Sequence, residues 1–322
     1  MNIFISRLGT MAQRLVSIGE AMIELSHQTA DAWSQGFAGD TLNTAWAARA
    51  LLPGDWAVDF VTRIGQDGFS DRFVEMLSDA NIGTDHIIRS DSRIMGLYSI
   101  ETDSEGERTF TYWRNQSAAR ELARDPHALA KALSEASMVY VSGITLAILS
   151  DADRATLINA LGQRSERSFK VYYDANARPK LWESTGVMQR STHDMAQIAD
   201  AVLPTFDDEQ LVFGDKSLGD TLERYSRNGV PTIVIKNGTD PTVLKSDGIV
   251  TEIPVLEPVS PKDTTGAGDS FNGAFMAARA AGRSDLDCVR VAQAASAEVV
   301  QHKGALVAHN VIANAVQKGA NR

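Results

Sequence analysis

Residues 263–275 read DTTGAGDSFNGAF, a glycine-rich loop that leads into a segment with helical spacing of Phe271 and Phe275. A helix N-terminus combines unpaired amides with the positive end of the helix dipole, so it favours phosphate oxygens. Asp269 stands at that start. It serves either to compensate the dipole or to accept a proton from a hydroxyl that attacks a γ-phosphate. The stretch therefore predicts an anion-binding loop with an acid beside it.

Two common phosphate-binding motifs are absent from the chain. There is no G-x-x-x-x-G-K-[ST], and the glycines at 266, 268 and 273 do not have the G-x-G-x-x-G spacing. Glycine-rich helix starts are frequent, so spacing alone leaves a purely structural role as open as a functional one.

The composition is that of a soluble globular protein. Of 322 residues, 43% are apolar and 22% are charged, with a net charge of −10. The acidic balance argues against a nucleic-acid partner. No apolar run is long enough to span a membrane, so a membrane is not expected as a partner.

Several other classes are excluded by particular residues. The single cysteine, Cys288, rules out an internal disulfide and predicts a cytoplasmic location. The six histidines form no zinc motif. The opening MNIFISRLGT lacks the features of a secretory signal, and the sequence leaves open whether the chain starts at Met1 or Met11.

Apolar segments alternate with helical patterns along most of the chain. This order predicts an α/β fold with a mostly parallel sheet covered by helices on both faces. The expected strands cover 15–19, 138–143, 169–174 and 232–236, and the expected helices 41–52, 125–136, 151–165 and 217–228.

Residues 94–114 interrupt this alternation. They predict two strands joined by a DSEG turn. Strand periodicity places Arg108, Phe110, Tyr112 and Arg114 on one face of the hairpin. A face that mixes arginines with aromatic rings is suited to cover a polar site rather than a core.

The full string DTTGAGDSFNGAF resembles the C-terminal signature of the ribokinase-like (PfkB) carbohydrate kinases. The resemblance extends from IGEAMIEL to KGAL at 303–306. It implies a three-layer α/β/α sandwich with a small β-sheet lid, in a single domain over 1–322 with the lid at about 30–42 and 92–116. It also implies that the amides of Gly266, Ala267 and Gly268 form the anion hole and that Asp269 is the catalytic base.

Other segments are similar to the 2-keto-3-deoxygluconate kinases of that family. They are FAGDTLNTA at 37–45, GLYSIETDSEGERTFTYWRNQSAA at 96–119, SGITLAILS at 142–150 and DANARPKLW at 174–182. The resemblance implies phosphorylation of this sugar acid by ATP at its C6 hydroxyl. The implied sugar contacts are Gly39, Asn43, Tyr98, Tyr112, Arg114, Arg178 and Asp269.

The two arginines agree with an acidic substrate. A guanidinium gives charge-assisted, often bidentate hydrogen bonds to a carboxylate. The alternative is that Arg114 and Arg178 are exposed to solvent or pair with acids of the chain itself.

The resemblance further implies ATP and Mg²⁺ as cofactors. Asn176, Lys236 and Gly238, together with the anion-hole residues, are the implied nucleotide contacts. The family's Asn-x-x-Glu, which organises magnesium, corresponds here to the segment from Thr205 to Asp208, so Asp208 is the expected ligand through water, with Glu209 as a substitute.

In this family lids often pair across a two-fold axis, which implies a homodimer or a higher homo-oligomer. Two alternatives to the sugar-acid kinase stay open at this point. One is a kinase of the same fold for a neutral sugar such as fructose or ribose, and the other is a catalytically silent sugar-binding protein.

Overall fold

The computed structural model describes residues 13–29, 31–102, 108–255 and 259–320. The alternative starts at Met1 and Met11, and the DSEG turn of the predicted hairpin, lie outside these ranges. Within them, no helix has the length and apolar character needed to cross a membrane.

The described residues form thirteen strands. They are β1 (Arg14–Ile18), β2 (Met22–Thr29), β3 (Ala32–Ala38), β4 (Ala57–Ile64), β5 (Ile87–Arg89), β6 (Gly96–Thr102), β7 (Arg108–Trp113), β8 (Met138–Ser142), β9 (Lys170–Asp174), β10 (Ala201–Val202), β11 (Thr232–Ile235), β12 (Thr242–Ser246) and β13 (Ile249–Ile253).

Nine of these strands form the large sheet, in the order β13-β12-β11-β10-β9-β8-β1-β4-β5. The pairs from β11 to β5 are parallel, and β12 and β13 add an antiparallel hairpin at one edge. The predicted mostly parallel sheet and its four expected strands are confirmed.

Eleven α-helices accompany the strands in the described part of the chain. They are α1 (Asp40–Leu51), α2 (Gly68–Asp79), α3 (Pro126–Leu133), α4 (Gly143–Ile148), α5 (Asp151–Leu161), α6 (Thr185–Ile198), α7 (Phe206–Phe213), α8 (Leu218–Arg227), α9 (Ala267–Ala280), α10 (Asp285–Val299) and α11 (His309–Ala320).

The helices form one layer on each face of the large sheet. Leu15 of β1 belongs to the apolar cluster that includes residues of α1, α2 and α9 to α11. Its neighbour Val16 belongs to the cluster that includes residues of α3 to α8. Alternate residues of a strand point to opposite faces, and both faces here are apolar because both are covered. The three-layer α/β/α architecture is confirmed.

A separate four-stranded sheet, in the order β3-β2-β6-β7, forms the lid. The hairpin predicted over 94–114 supplies β6 and β7, which pair antiparallel. The small sheet differs from the lid boundary predicted at about 30–42 in two respects. The lid already includes β2 from Met22, and residues 40–42 belong to α1, whose first turn starts directly after the extended backbone of Gly39.

Candidate active site

Polar side chains gather where the parallel strands of the large sheet end. Ser142 and Asp174 are the last residues of β8 and β9, and Lys236 directly follows β11. In an open α/β sheet, ligands bind beyond the carboxyl ends of the strands. The lid lies over the same edge, since β2 follows β1 after three residues.

Asp269 lies in the first turn of α9, and Asn43 lies in the first turn of α1. The Asn43 Nδ2 donates to Asp269 Oδ2 at 2.8 Å. The two helices come this close because Gly273 has no side chain, and a Cβ there would lie 2.3 Å from the Thr44 carbonyl oxygen. The predicted base and the predicted sugar contact are thus brought together from opposite ends of the chain.

Burial raises the pKa of Asp269 to about 7, and the nearby charge of Asp40 adds to the effect. The hydrogen bond from Asn43 opposes the shift because it favours the charged form. A carboxyl group with a pKa near neutrality is matched to accepting a proton at physiological pH.

Asp40 is a second carboxylate of the site that the sequence did not single out. Its Oδ2 accepts a hydrogen bond from Asn176 Nδ2 at 2.9 Å, and burial raises its pKa. Asn176 has a φ of 35° and follows the end of β9 at Asp174 by two residues. The available signal was the position of Asp40 directly after Gly39, at the start of a helix.

Gly39 is required by a close approach of two chain segments. A Cβ at this position would lie 2.2 Å from the Glu20 carbonyl oxygen. Gly39, one of the implied sugar contacts, therefore lies at a backbone contact that only glycine allows.

Lys236 is buried beneath the start of α9. Its Nζ donates to Asp174 Oδ2 at 2.6 Å and to Asn272 Oδ1 at 3.2 Å, and it lies 3.3 Å from where a Gly268 Cβ would be. Asn272 also donates to Asp174. A fixed ammonium thus stands beside the predicted anion hole. Asp174 and Asn272, which hold it, were not predicted, because a lone Asp or Asn gives no signal in one sequence.

The anion-hole loop has the backbone that its glycines permit. Gly266 caps α9 with a φ of 76°, and a Cβ there would lie 2.5 Å from the Ala305 Cβ. The Ala267 amide donates to the Thr264 carbonyl at 3.2 Å. This bond engages the Ala267 amide. The first amides of a helix otherwise have no partner within that helix, which makes this end of α9 suited to bind an anion.

Three aromatic rings form a stack on one face of the lid. The ring centroids of Tyr98 and Tyr112 are 5.7 Å apart, and those of Phe110 and Tyr112 are 6.3 Å apart. The Tyr98 hydroxyl donates to Glu24, and burial together with that carboxylate raises the pKa of Tyr98 well above its usual range. The periodicity that placed Phe110 and Tyr112 on one face is confirmed.

The two predicted arginines have different surroundings. Arg114 is buried and donates to Glu20, which also accepts a hydrogen bond from Ser117. The Arg178 side chain is 52% exposed, and its Nη1 lies 3.9 Å from Asp208. Both arginines thus show the surroundings named as the alternative from sequence: Arg114 pairs with an acid of the chain, and Arg178 is exposed to solvent near Asp208.

Gly238 lies in an exposed turn after β11. Its φ is 58°, and a Cβ there would meet nothing within 4 Å. The structure places it beyond Lys236 at the open end of the strand.

Of the two predicted metal ligands, Asp208 is the one that reaches the site. Its Oδ2 accepts from the Ala177 amide at 3.1 Å, and burial and the charge of Asp174 raise its pKa. Glu209 is a wrong candidate. It is fully buried, and its two oxygens accept hydrogen bonds from Arg224 and Tyr225.

Among the residues that the structure describes, no three His, Cys, Asp or Glu side chains cluster as a metal site. A single carboxylate such as Asp208 suits Mg²⁺, which keeps several waters and binds protein through one or two carboxylates together with phosphates.

Comparison with known proteins agrees with this geometry. The model of the pfkB family of carbohydrate kinases matches residues 12–310. This chain belongs to the pfkB family. The resemblance drawn from DTTGAGDSFNGAF is confirmed.

The curated pfkB relatives include several of one name. The chain is 38% identical over 301 residues to the 2-dehydro-3-deoxygluconokinase of Dickeya dadantii, covering 92% of this chain and 97% of the relative. It is 37% identical over 304 residues to the protein of that name from Escherichia coli strain K12, covering 92% and 98%.

Solved pfkB-type structures share the fold. A putative ribokinase II from E. coli, in complex with ATP and Mg²⁺, superposes with a TM-score of 0.82 at 20% identity, covering 95% of this chain and 99% of that one. A 2-dehydro-3-deoxygluconokinase from Thermotoga maritima gives 0.79 at 22% identity, covering 95% and 99%. The ribokinase-like fold is confirmed.

Proposed function

We propose that the chain is a 2-dehydro-3-deoxygluconokinase, which is another name for 2-keto-3-deoxygluconate kinase. It transfers the γ-phosphoryl group of ATP to the C6 hydroxyl of the sugar acid and releases ADP and 2-keto-3-deoxy-6-phosphogluconate, a step of sugar-acid catabolism of the Entner-Doudoroff type. The reaction type rests on one observation. Asp269, with a pKa near 7, lies beside a helix N-terminus and within hydrogen-bond distance of Asn43. The substrate rests on the relatives of that name at 36–38% identity.

In this mechanism Asp269 accepts the proton of the C6 hydroxyl as that oxygen attacks the γ-phosphorus. The new P–O bond forms while the bond to the β-phosphate oxygen breaks, and ADP leaves with the electron pair. The amides of Gly266 to Gly268 and the ammonium of Lys236 stabilise the charge on the transferred group. The buried Asp174 and Asn272 keep Lys236 in place.

The sugar acid lies between α1 and the lid. Gly39, Asn43, Tyr98 and Tyr112 contact its hydroxyl groups. Its carboxylate binds Arg178, whose guanidinium is the more exposed of the two. The Arg114 guanidinium is paired with Glu20, so its contribution to binding the substrate carboxylate is smaller than the sequence implied.

ATP binds along the C-terminal edge of the large sheet, near Asn176, Lys236 and Gly238. The fold neighbour in complex with ATP and Mg²⁺ supports both cofactors. Mg²⁺ would be held by Asp208 through water, and it would supply charge neutralisation on the β- and γ-phosphates. A cytoplasmic location follows from the need for ATP.

The deciding experiment measures ATP consumption by the purified protein with Mg²⁺ and one of four acceptors: 2-keto-3-deoxygluconate, gluconate, fructose or ribose. We expect turnover on the keto-deoxy acid. Turnover on fructose instead would favour the neutral-sugar alternative, which relatives named fructokinase at 25–26% identity also support.

The Asp269→Asn variant separates an enzyme from a silent sugar-binding protein. Because a general base contributes roughly 10²- to 10⁴-fold, we expect kcat to fall by that amount while the sugar acid still binds in a calorimetric titration. Wild-type turnover in this variant would remove Asp269 from the mechanism. A wild-type protein that binds the sugar acid without turnover would favour the silent alternative.

A further inference from the structure

One arginine of the lid contacts the loop that precedes the anion hole. Arg108, the first residue of β7, donates through Nη1 to Asp263 Oδ1 at 2.5 Å and to Thr265 Oγ1 at 3.1 Å. The Asp263 side chain is only 3% exposed. An ion pair therefore joins the lid to DTTGAGD, the segment whose glycines form the anion hole.

Asp263 also organises that segment. Its Oδ1 accepts from the Thr265 amide at 2.9 Å, and its Oδ2 accepts from the Gly304 amide at 2.7 Å. The next residue after Gly304 is Ala305, whose Cβ would be 2.5 Å from a Cβ at Gly266. One carboxylate thus connects the two segments that set the position of Gly266.

The charge of Asp263 depends on these partners. Burial alone would raise its pKa, but the hydrogen bonds from Arg108 and from the Gly304 and Thr265 amides hold the pKa well below its usual range. Asp263 is consequently ionised at any working pH. Loss of the guanidinium would leave a nearly buried charge with only the Gly304 and Thr265 amides and the Thr265 hydroxyl as partners, which is unfavourable.

We propose that Arg108 is a positioning residue that locks the lid onto the anion-hole loop through Asp263. The contact then couples the geometry of the loop used for phosphoryl transfer to the position of the lid. The kinetic consequence rests on the proposed kinase function, whereas the coupling of lid and loop is a property of the chain itself.

The kinetic test compares three variants. Arg108→Ala should lower kcat 10- to 100-fold and change the KM for 2-keto-3-deoxygluconate less than threefold, since Arg108 contacts the loop. Arg108→Lys should restore most of kcat, because an ammonium can still reach one Asp263 oxygen. Thr109→Ala, on the opposite face of β7, should behave as wild type. A raised KM with unchanged kcat, or no change in either, would overturn the proposal.

Amide hydrogen exchange tests the coupling without turnover. In Arg108→Ala, exchange over residues 263–268 should rise at least fivefold, while α10 keeps its protection and shows that the protein is folded. Faster exchange confined to the lid strands would refute the coupling. If the wild-type protein fails to phosphorylate the sugar acid, the functional proposal fails, yet this measurement still decides whether Arg108 holds the loop.

Discussion

At the scale of single residues, the site depends on carboxylates placed close together. Asp269 titrates near pH 7 because it is buried and because Asp40 is its neighbour. A base must be deprotonated to act, so protonation of Asp269 at acidic pH removes the acceptor for the hydroxyl proton.

The value of kcat should therefore fall as the pH is lowered below about 7, with the slope expected for the uptake of one proton. Asp40→Asn removes a negative charge near Asp269, which lowers the pKa of the base and moves the acidic limb to lower pH. The measurement is kcat from pH 5 to 9. Asp207→Asn, an exposed acid on α7, is the matched control and should leave the profile unchanged. An unshifted limb in Asp40→Asn would contradict this account.

The two arginines should differ in what their loss costs. Arg178→Ala should lose about 1.5–3 kcal/mol of binding free energy for the sugar acid, which raises its KM roughly 10- to 150-fold. The melting temperature should be unchanged. Arg114→Ala leaves the buried Glu20 without its guanidinium, so the free energy of unfolding should fall by about 3–5 kcal/mol. Kinetics and thermal unfolding of both variants check this. If the two variants raised the KM equally and were equally stable, both arginines would bind the substrate carboxylate, as the sequence predicted.

At the scale of elements, the sequence predicted what is periodic or local. Both faces of the large sheet, the lid hairpin and the start of α9 follow from apolar patterning and glycine chemistry. The first lid strand was missed because its burial falls steadily from Met22 to Thr29 rather than alternating. The Arg114–Glu20 and Lys236–Asp174 pairs join residues 94 and 62 positions apart, and local patterns carry no information on such contacts.

The contact of α1 with α9 makes a prediction at this scale. Gly273→Val should separate the helices, since a Cβ already meets the Thr44 carbonyl at 2.3 Å. We expect loss of the Asn43–Asp269 hydrogen bond, at least a 10-fold drop in kcat/KM, and destabilisation by about 1–3 kcal/mol. Gly219→Ala in the exposed start of α8, where a Cβ would meet only the Ser217 hydroxyl oxygen at 3.4 Å, is the control and should retain activity. Full activity of Gly273→Val would show that helix spacing does not set the site.

At the scale of the whole molecule, the outer face of the lid is apolar. Trp33, Ile94 and Trp113 are 43%, 60% and 58% exposed. Together with Leu25 and Leu97 they line a cavity of about 740 Å³. Exposed apolar patches of this kind mark protein interfaces. We propose that a second copy of the chain covers this face in the homo-oligomer that the family resemblance implies.

Trp113→Asp should place a charge in that interface and convert the oligomer to monomer. Light scattering after size-exclusion chromatography measures the mass directly. Ile249→Asp, on the edge strand β13, changes a residue of similar exposure (68%) away from the lid and should not alter the mass. A monomeric wild-type protein would reject the proposed dimer.

The Asn43–Asp269 hydrogen bond spans 226 positions of the chain, and this separation has a consequence during protein synthesis. The growing polypeptide contains α1 and most of the large sheet well before the ribosome reaches the codon for Asp269. Until α9 has emerged and packed against α1, the chain lacks both the proposed base and the proposed anion hole, so we expect no phosphoryl transfer. Prematurely terminated products that stop before this codon would be inert rather than uncontrolled ATPases.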